Sequence, residues 1–491
     1  MNTSHLSATS LYADAGHKSR NAATAMNSLY LLGALVFILL LYRVVLMWML
    51  PLADTTEARY GEIARLTVTH GFWLMPHIDP QTPFFAKPPL STWIAAASMS
   101  LFGINEFAAR LPSLLASVAT AWTAMAFASA LGVKRRWLVL PVLATCPLFF
   151  ISAGAVMTDA VQMCIVTAAL YFAWRALGAD QTQGVAARRR WQRAFWVTVG
   201  IGALSKGLAD WALIGLPLLA YALLEGRPLQ IFKRLFSWRG ACIAICICAP
   251  WYAAAEYFYP GFLHYFIVGE HFSRFLVPGW KGDRYGIAHR QPLGMIWIFW
   301  VAAILPWTGV FAAEFTRFAM RVRSAPSLER FLWCATLAPL VFFTFAHNII
   351  WTYGLTAVVP FSVLVARWLE HASRTTFRLT APALLVLSLA AVAVAPIIAR
   401  NVRGNSDRDL IAVFHQAAPA GTPLVYHVPP IYSPHFYAPG QVRYEPVPPA
   451  FAMASNVPRF VVVANGTLPR QPAPSARTLF TGTRHSLIEE K

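Results

Sequence analysis

A chain of 491 residues that is 57% hydrophobic and only 12% charged cannot clothe a water-facing surface, for which a soluble domain of this size uses about 25% charged residues. Lipid must cover much of it. The net charge of +19 collects between apolar runs, which points to cytoplasmic loops of a membrane protein and away from nucleic acid as a partner.

Residues 1–27 are polar and include Lys18 and Arg20, and they read as a cytoplasmic tail. The apolar run 29–50 is too long for a signal-peptide core and no small-residue cleavage site follows it, so it is expected to be a first membrane span. Further apolar runs lie near 110–131, 137–153, 158–177, 194–208, 210–224, 240–258, 294–316, 331–347, 350–369 and 379–398. Together they predict an all-α polytopic membrane protein with about eleven spans. The run 90–103 is too short to cross and reads as an interfacial or re-entrant helix.

Charge orients these spans. Lys134, Arg135 and Arg136 follow the second; Arg188, Arg189, Arg190 and Arg193 the fourth; Arg227, Lys233, Arg234 and Arg239 the sixth. Arg317, Arg321, Arg323 and Arg330 follow the eighth, and Arg374 and Arg378 the tenth. An N-in arrangement puts all of these clusters in the cytoplasm. The opposite face then receives 54–89, the turn at Asp159, the turn at Lys206, the loop 257–291, the turn 347–352 and the tail from 400. The expected division is a transmembrane domain over 28–399, with outer loops at 52–109 and 257–293, and a small α/β domain over 400–491. Strand-like runs at 423–427 and 459–464 and a helix-like stretch at 407–417 mark that domain. The six cysteines (Cys146, Cys164, Cys242, Cys246, Cys248 and Cys334) all lie in apolar segments and read as small buried hydrophobes.

The first outer loop is the most informative segment. Glu57, Arg59, Glu62 and Arg65 recur at helical spacing with Ile63 and Leu66, predicting an amphipathic helix on the membrane surface; ion pairs within a solvated helix are the plain alternative. Farther on, Lys87 stands in Phe84-Phe85-Ala86-Lys87-Pro88-Pro89, where the prolines stiffen the backbone. A lysine held so is a point-charge phosphate binder, or else it snorkels to headgroups. Asp159 and Lys206 sit where short turns join apolar runs, a costly place for a charge unless it pairs or acts. The loop around Glu270, His271 and Arg274, followed by His289 and Arg290, has donor types that suit a metal but not the spacing of a known ligand motif. No G-x-G-x-x-G, P-loop or G-x-S-x-G motif is present, so nucleotide-driven and serine-hydrolase readings lack support.

The ordered strings TTEARYGEIAR, GFWLMPHID, FFAKPPLSTW and LFGINEFAARLPS, then MTDA, LSKG, EHFSRF and HRQP, resemble the bacterial membrane glycosyltransferases of the GT-C fold. These are glycosyltransferase family 39 and its relatives, including the protein mannosyltransferases and the lipid A aminoarabinose transferases. The resemblance spans roughly residues 28–370. It implies a polyprenyl-phosphate sugar donor and transfer to a cell-envelope acceptor (lipid A or lipopolysaccharide, another glycan, or a protein). The reaction would take place on the periplasmic face of the bacterial inner membrane. It implies roles as well. Asp54 or Glu57 would supply the first acidic position and Asp159 the second. Lys87, Arg59, Lys206 and Arg274 would face the donor phosphate, and Tyr60, His271, His289 and Tyr353 would line the cavity. Relatives carry Asp-Glu where this chain has Thr56-Glu57, and often Glu where it has Ala86. The heir to the catalytic carboxylate is therefore open between Asp54 and Glu57. No cofactor is implied with certainty; a divalent metal is compatible with the family, though not through position 86. No nucleic-acid partner is expected. A transporter or flippase of a lipid-linked substrate, or a non-catalytic glycan-assembly scaffold, would share the charged loops, but a transporter predicts repeated halves and none is seen.

Overall fold

With no water inside a bilayer, each span must satisfy its own backbone, which leaves a long apolar run little choice but a helix. The computed structural model describes residues 5–178, 184–286, 288–446, 459–467 and 476–490. Among these, five helices are long and apolar enough to cross a membrane: Asn27–Met49, Glu106–Ala130, Trp238–Phe258, Trp351–His371 and Thr375–Gly404. Met295–Ala303 and Thr308–Arg321 make a sixth candidate, bent by 115° between them. The other expected spans are shorter, broken or more polar. The run near 137–153 divides into Val139–Thr145 and Pro147–Ser152, because Pro147 brings no N–H to continue the first helix. Asp159–Ala176, Leu208–Leu224 and Ser327–Thr344 follow the expected runs closely, while Gly184–Lys206 starts a full ten residues early, in the arginine cluster. Leu90–Phe102 is a 13-residue helix, too short to span.

The centre of the bundle is aromatic. Phe331 meets Trp174 at 5.3 Å and Tyr221 at 5.2 Å, and Trp300 meets Phe361 at 5.6 Å. Trp351–His371 runs through this core, whereas Arg374–Gly404 lies on the outside with Leu379, Val386 and Leu389 exposed. The cysteine expectation holds in part. Cys146 and Cys248 are buried, but Cys242 and Cys246 are exposed on an outward face of Trp238–Phe258, because an apolar helix in lipid need not bury its small residues in protein.

The basic clusters meet at one end of the bundle, joined in a ring. Gln192 donates to the Arg234 carbonyl, and Arg330 pairs with Glu225 at 2.7 Å. Arg321 and Arg367 both reach Glu329 at 2.6 Å, and Glu370 accepts from the backbone N–H groups of Lys134 and Arg135.

At the other end lies the tail domain. Its strands are β1 (Leu424–Tyr426), β2 (Val442–Tyr444), β3 (Arg459–Ala464), β4 (Ala476–Thr481) and β5 (His485–Glu490), in the order β2-β1-β3-β5-β4. β1 is parallel to β2 and β3, and β5 is antiparallel to β3 and β4. The helix Arg408–Ala417 covers one face, with Phe414 on Phe460 at 5.4 Å. The helix from Arg374 continues through the expected boundary at 399 to Gly404.

Candidate active site

The helix Thr56–His70 forms as its spacing predicts, but it does not lie on a surface. Ala58 and Gly61 through Thr67 are buried. Gly61 shows why: a Cβ there would stand 2.5 Å from Leu52 Cδ1 and 3.6 Å from the Phe436 ring. The tail segment Ser433–Tyr437 presses on this helix from outside, and Leu90–Phe102 packs beside it. Of the expected ion pairs within the helix only Glu62–Arg65 forms, at 2.7 Å and buried.

The charged residues of this helix serve different partners. Glu57 binds Arg110 at 2.7 Å and accepts the Val156 N–H at 3.0 Å. Burial pushes its carboxyl up, but Arg110 and these hydrogen bonds outweigh it and hold Glu57 below its ordinary value. Arg110 also donates to the carbonyls of Met47, Leu50 and Pro51. Just before the helix, Asp54 accepts from the backbone N–H groups of Tyr432 and Ser433 at 2.9 Å each, and from the Ser433 hydroxyl at 2.5 Å. Burial raises the Asp54 carboxyl despite these bonds. Both expected first-loop carboxylates are thus occupied in holding elements together.

Arg59 points the other way. Its Nη1 donates to the Tyr285 carbonyl at 2.6 Å, its guanidinium lies 5.3 Å from the Tyr60 ring and 5.9 Å from the Tyr432 ring, and its Nε is buried without a partner. Tyr285 also fixes the turn that leads to Lys87. Its hydroxyl accepts from Phe85 N–H at 3.0 Å and donates to the Pro83 carbonyl at 2.7 Å. Lys87, so placed, donates to Glu270 at 3.0 Å.

Glu270 is the hub of the outer loop. It lies in His264–Ser273, wound with one extra residue per turn, a geometry often found at functional sites. Besides Lys87, it accepts from Arg274 at 3.1 Å and from the Tyr265 hydroxyl at 3.2 Å. Burial pushes Glu270 up, but the charges of Lys87 and Arg274 outweigh it and hold it below the ordinary glutamate value. Arg274 also reaches Asp283 at 2.5 Å, and Arg284 stacks 4.8 Å above the Tyr265 ring. The Nε of Arg274 is buried and unpartnered.

Asp159 and Lys206 turn out to be partners, 2.9 Å apart. Lys206 leads into Gly207, where φ is +63° and a Cβ would stand 2.6 Å from the Phe266 ring, so no side chain fits. His271 spans the seam, with Nε2 3.1 Å from the Lys206 carbonyl and Nδ1 2.8 Å from that of Phe266. Burial lowers the pKa of His271 and also that of His289, where Arg274 and Arg59 lower it further. Tyr60 feels the charges of Arg59, Lys206, Asp159 and Glu270, and Tyr353 those of Arg274, Asp159 and Glu270.

The structure therefore gathers Arg59, Tyr60, Lys87, Asp159, Lys206, His271, Arg274, His289 and Tyr353 into one constellation, and leaves Asp54 and Glu57 bonded outside it. Five cations (Arg59, Lys87, Lys206, Arg274, Arg284) face three carboxylates (Asp159, Glu270, Asp283), a surplus of two positive charges. No group of three or more metal-ligating side chains occurs among the described residues. Sequence reasoning weighed Glu270 only as a metal donor and gave no role to Asp283, Tyr265, Tyr285 or Arg110. The one available signal was the four-residue spacing of Glu270 and Arg274, which suits a pair on one helix face.

Comparison with known proteins bears on this geometry. Residues 86–253 match the family described as dolichyl-phosphate-mannose-protein mannosyltransferase. The undecaprenyl phosphate-alpha-4-amino-4-deoxy-L-arabinose arabinosyl transferase of Erwinia tasmaniensis is 29% identical over 66% of this chain and 57% of its own length. Its namesake from Pseudomonas aeruginosa is 26% identical over 73% of this chain and 64% of its own length. The chain thus spans about three-fifths of these relatives. Among solved structures, ArnT from Cupriavidus metallidurans bound to undecaprenyl phosphate superposes with a TM-score of 0.74 at 20% identity, over 94% of this chain and 97% of that one. Its apo form gives 0.71. As its motif order implied, the chain has the GT-C fold of the membrane glycosyltransferases and is similar over most of its length to the undecaprenyl phosphate–aminoarabinose transferases.

Proposed function

We propose that this protein transfers a sugar from a polyprenyl-phosphate donor to a phosphate-bearing acceptor of the cell envelope, such as lipid A, at the periplasmic face of the inner membrane. The observation that carries the reading is the surplus of two positive charges around Lys87, Arg59 and Arg274, with two buried guanidinium N–H groups still lacking acceptors. A lipid-phosphate sugar leaves as a phosphate whose charge grows from one minus to two as the C1–O bond breaks. A preformed cationic cluster stabilises that growth without reorganising. Lys87, fixed by the stiff segment before Pro88 and Pro89, and Arg59, fixed on Tyr60, are the phosphate ligands; Arg274 and Lys206 flank them.

The acceptor hydroxyl attacks C1 as the phosphate departs, which inverts the anomeric centre, and its proton passes to a carboxylate. Asp159 is the carboxylate best placed for this within the cluster, since Asp54 and Glu57 are engaged elsewhere. Lys206, 2.9 Å away, holds the Asp159 carboxylate in place. The side of the membrane follows from the ring of basic clusters at the far end, which the positive-inside rule assigns to the cytoplasm. A transporter would need charges along a path through the bilayer; here the site's charges gather at one end.

The test is transfer of radiolabel from a polyprenyl-phosphate sugar in membranes. Lys87→Ala should lose roughly 100-fold or more in rate, as when one preorganised charge is removed from a transition state. Asp159→Asn should lose about as much, the usual worth of a positioned base. Undiminished transfer by either variant would sink the assignment.

A further inference from the structure

The helix Arg374–Gly404 ends in Arg400 and Arg403, just past its exposed apolar face. Between this helix end and the β4–β5 hairpin lies a cavity of about 390 Å³, and one of its lining residues, Arg484, also reaches Asp54. Its composition is two-sided. Pro396 and Ala399 wall it where the helix faces lipid, Leu410 and Phe480 wall it from the tail, and Arg400, Arg403 and Arg484 line it together with Asp407 and Asp409.

The three arginines outnumber these two carboxylates. Both oxygens of Asp407 lie 3.0 Å from His485 Nδ1, and Asp409 lies 3.5 Å from Arg408. Arg484 reaches Asp54 only at 3.4 Å, and its Nε is buried with no partner. The Ser406 hydroxyl, also lining the cavity, is buried and unpartnered too. Arg400 and Arg403 are exposed and pair with no carboxylate among the described residues. Buried donors left without acceptors are destabilising, and three guanidinium groups around one cavity match the fork geometry of a phosphate. The apolar wall at the end of a lipid-facing helix places that phosphate at headgroup depth. Basic pockets in this position suit lipid headgroups.

We infer that this cavity binds the phosphate of an anionic lipid headgroup at the membrane surface, held by Arg400, Arg403 and Arg484. It is separate from the constellation around Lys87 and does not depend on the transfer reaction; binding is read without turnover. The full chain in detergent is titrated with dioctanoyl phosphatidylglycerol, dioctanoyl phosphatidylcholine and inorganic phosphate, and bound ligand is counted by native mass spectrometry. Phosphatidylglycerol should bind in preference to the other two. The Arg400→Gln/Arg403→Gln variant, altered only at exposed positions, should bind it roughly 100-fold more weakly, the scale of two lost charge-assisted bonds, with its thermal unfolding unchanged. Arg484→Lys, which keeps the charge but loses the fork, should weaken binding as well. Equal binding of the two lipids, or an unaltered affinity in the double variant, overturns the site. Inorganic phosphate binding as well as phosphatidylglycerol overturns its assignment to lipid.

Discussion

Replacing Glu57 by Gln would leave Arg110 buried without its paired carboxylate, because its other hydrogen bonds go to backbone carbonyls. Breaking one side of such a pair costs about 3 kcal/mol or more, so Glu57→Gln should lower the unfolding temperature sharply, while Glu57→Gln/Arg110→Met should recover part of the loss. Equal stability of the single variant and the parent would remove Glu57 from this structural role. Lys87 is a different case: its partner Glu270 keeps Arg274, so Lys87→Ala should cost activity far more than stability. Glu270 also sets a pH dependence. Its folded pKa lies below the ordinary 4.5, so its stabilising contribution is present above pH 4.5 and is lost as pH falls through the depressed value. Trp280 reports on this node, 5.7 Å from Arg274. The difference in fluorescence between the parent and Trp280→Phe should hold steady down to pH 4.5 and change only below it. At this scale the sequence revealed which charges were costly but not how they pair. Asp159 and Lys206 are 47 residues apart and Lys87 and Glu270 are 183 apart, and no local spacing encodes such contacts. The same blindness left Asp54 as a candidate base when its oxygens are filled by Tyr432 and Ser433.

The helix Thr56–His70 shows what periodicity can and cannot say. Its helical state was legible from Glu57, Arg59, Ile63, Glu62 and Leu66. Its burial was not, because the cover comes from Ser433–Tyr437, nearly 380 residues away, in a short helix with no periodicity to read. In the same tail β1, β3 and the helix Arg408–Ala417 fall on the expected runs, whereas β2, with three residues, was too brief to register. The link between tail and helix is testable at this level. Ser433→Ala removes one hydroxyl donor from Asp54 and should weaken the docking by about 1 kcal/mol. Amide hydrogen exchange should then speed up at 54–60 and 432–437 while the amides of Trp351–His371 stay protected. Unchanged exchange in both segments would show that Phe436 against Gly61 holds the tail without Asp54.

Across the whole molecule, the two ends divide the chemistry. One gathers the basic clusters into a ring through Gln192, Glu225, Glu329 and Glu370; the other gathers the first loop, the Asp159 and Lys206 turns, the Glu270 loop and the tail. Positive-inside reasoning reached this division from arginine counts alone, because every second connection is basic whatever the helices between them look like. Lengths were less legible: several connections between the ends run through helices that are broken or short, such as Val139–Thr145 with Pro147–Ser152, and hydropathy smooths over such breaks. The division yields a prediction about sidedness. In a chain whose six native cysteines are replaced by alanine, single cysteines at the exposed positions Ala186 and Gln416 should react on opposite sides of the membrane. Gln416→Cys in intact cells should label with an impermeant maleimide, since the tail lies with the Lys87 and Glu270 loops. Ala186→Cys, beside the Arg188–Arg190 cluster, should label only after the inner membrane is opened. Labelling of both in intact cells, or of neither, would break the link between the basic ring and the cytoplasm, and with it the placement of the Lys87 site outside the cell membrane.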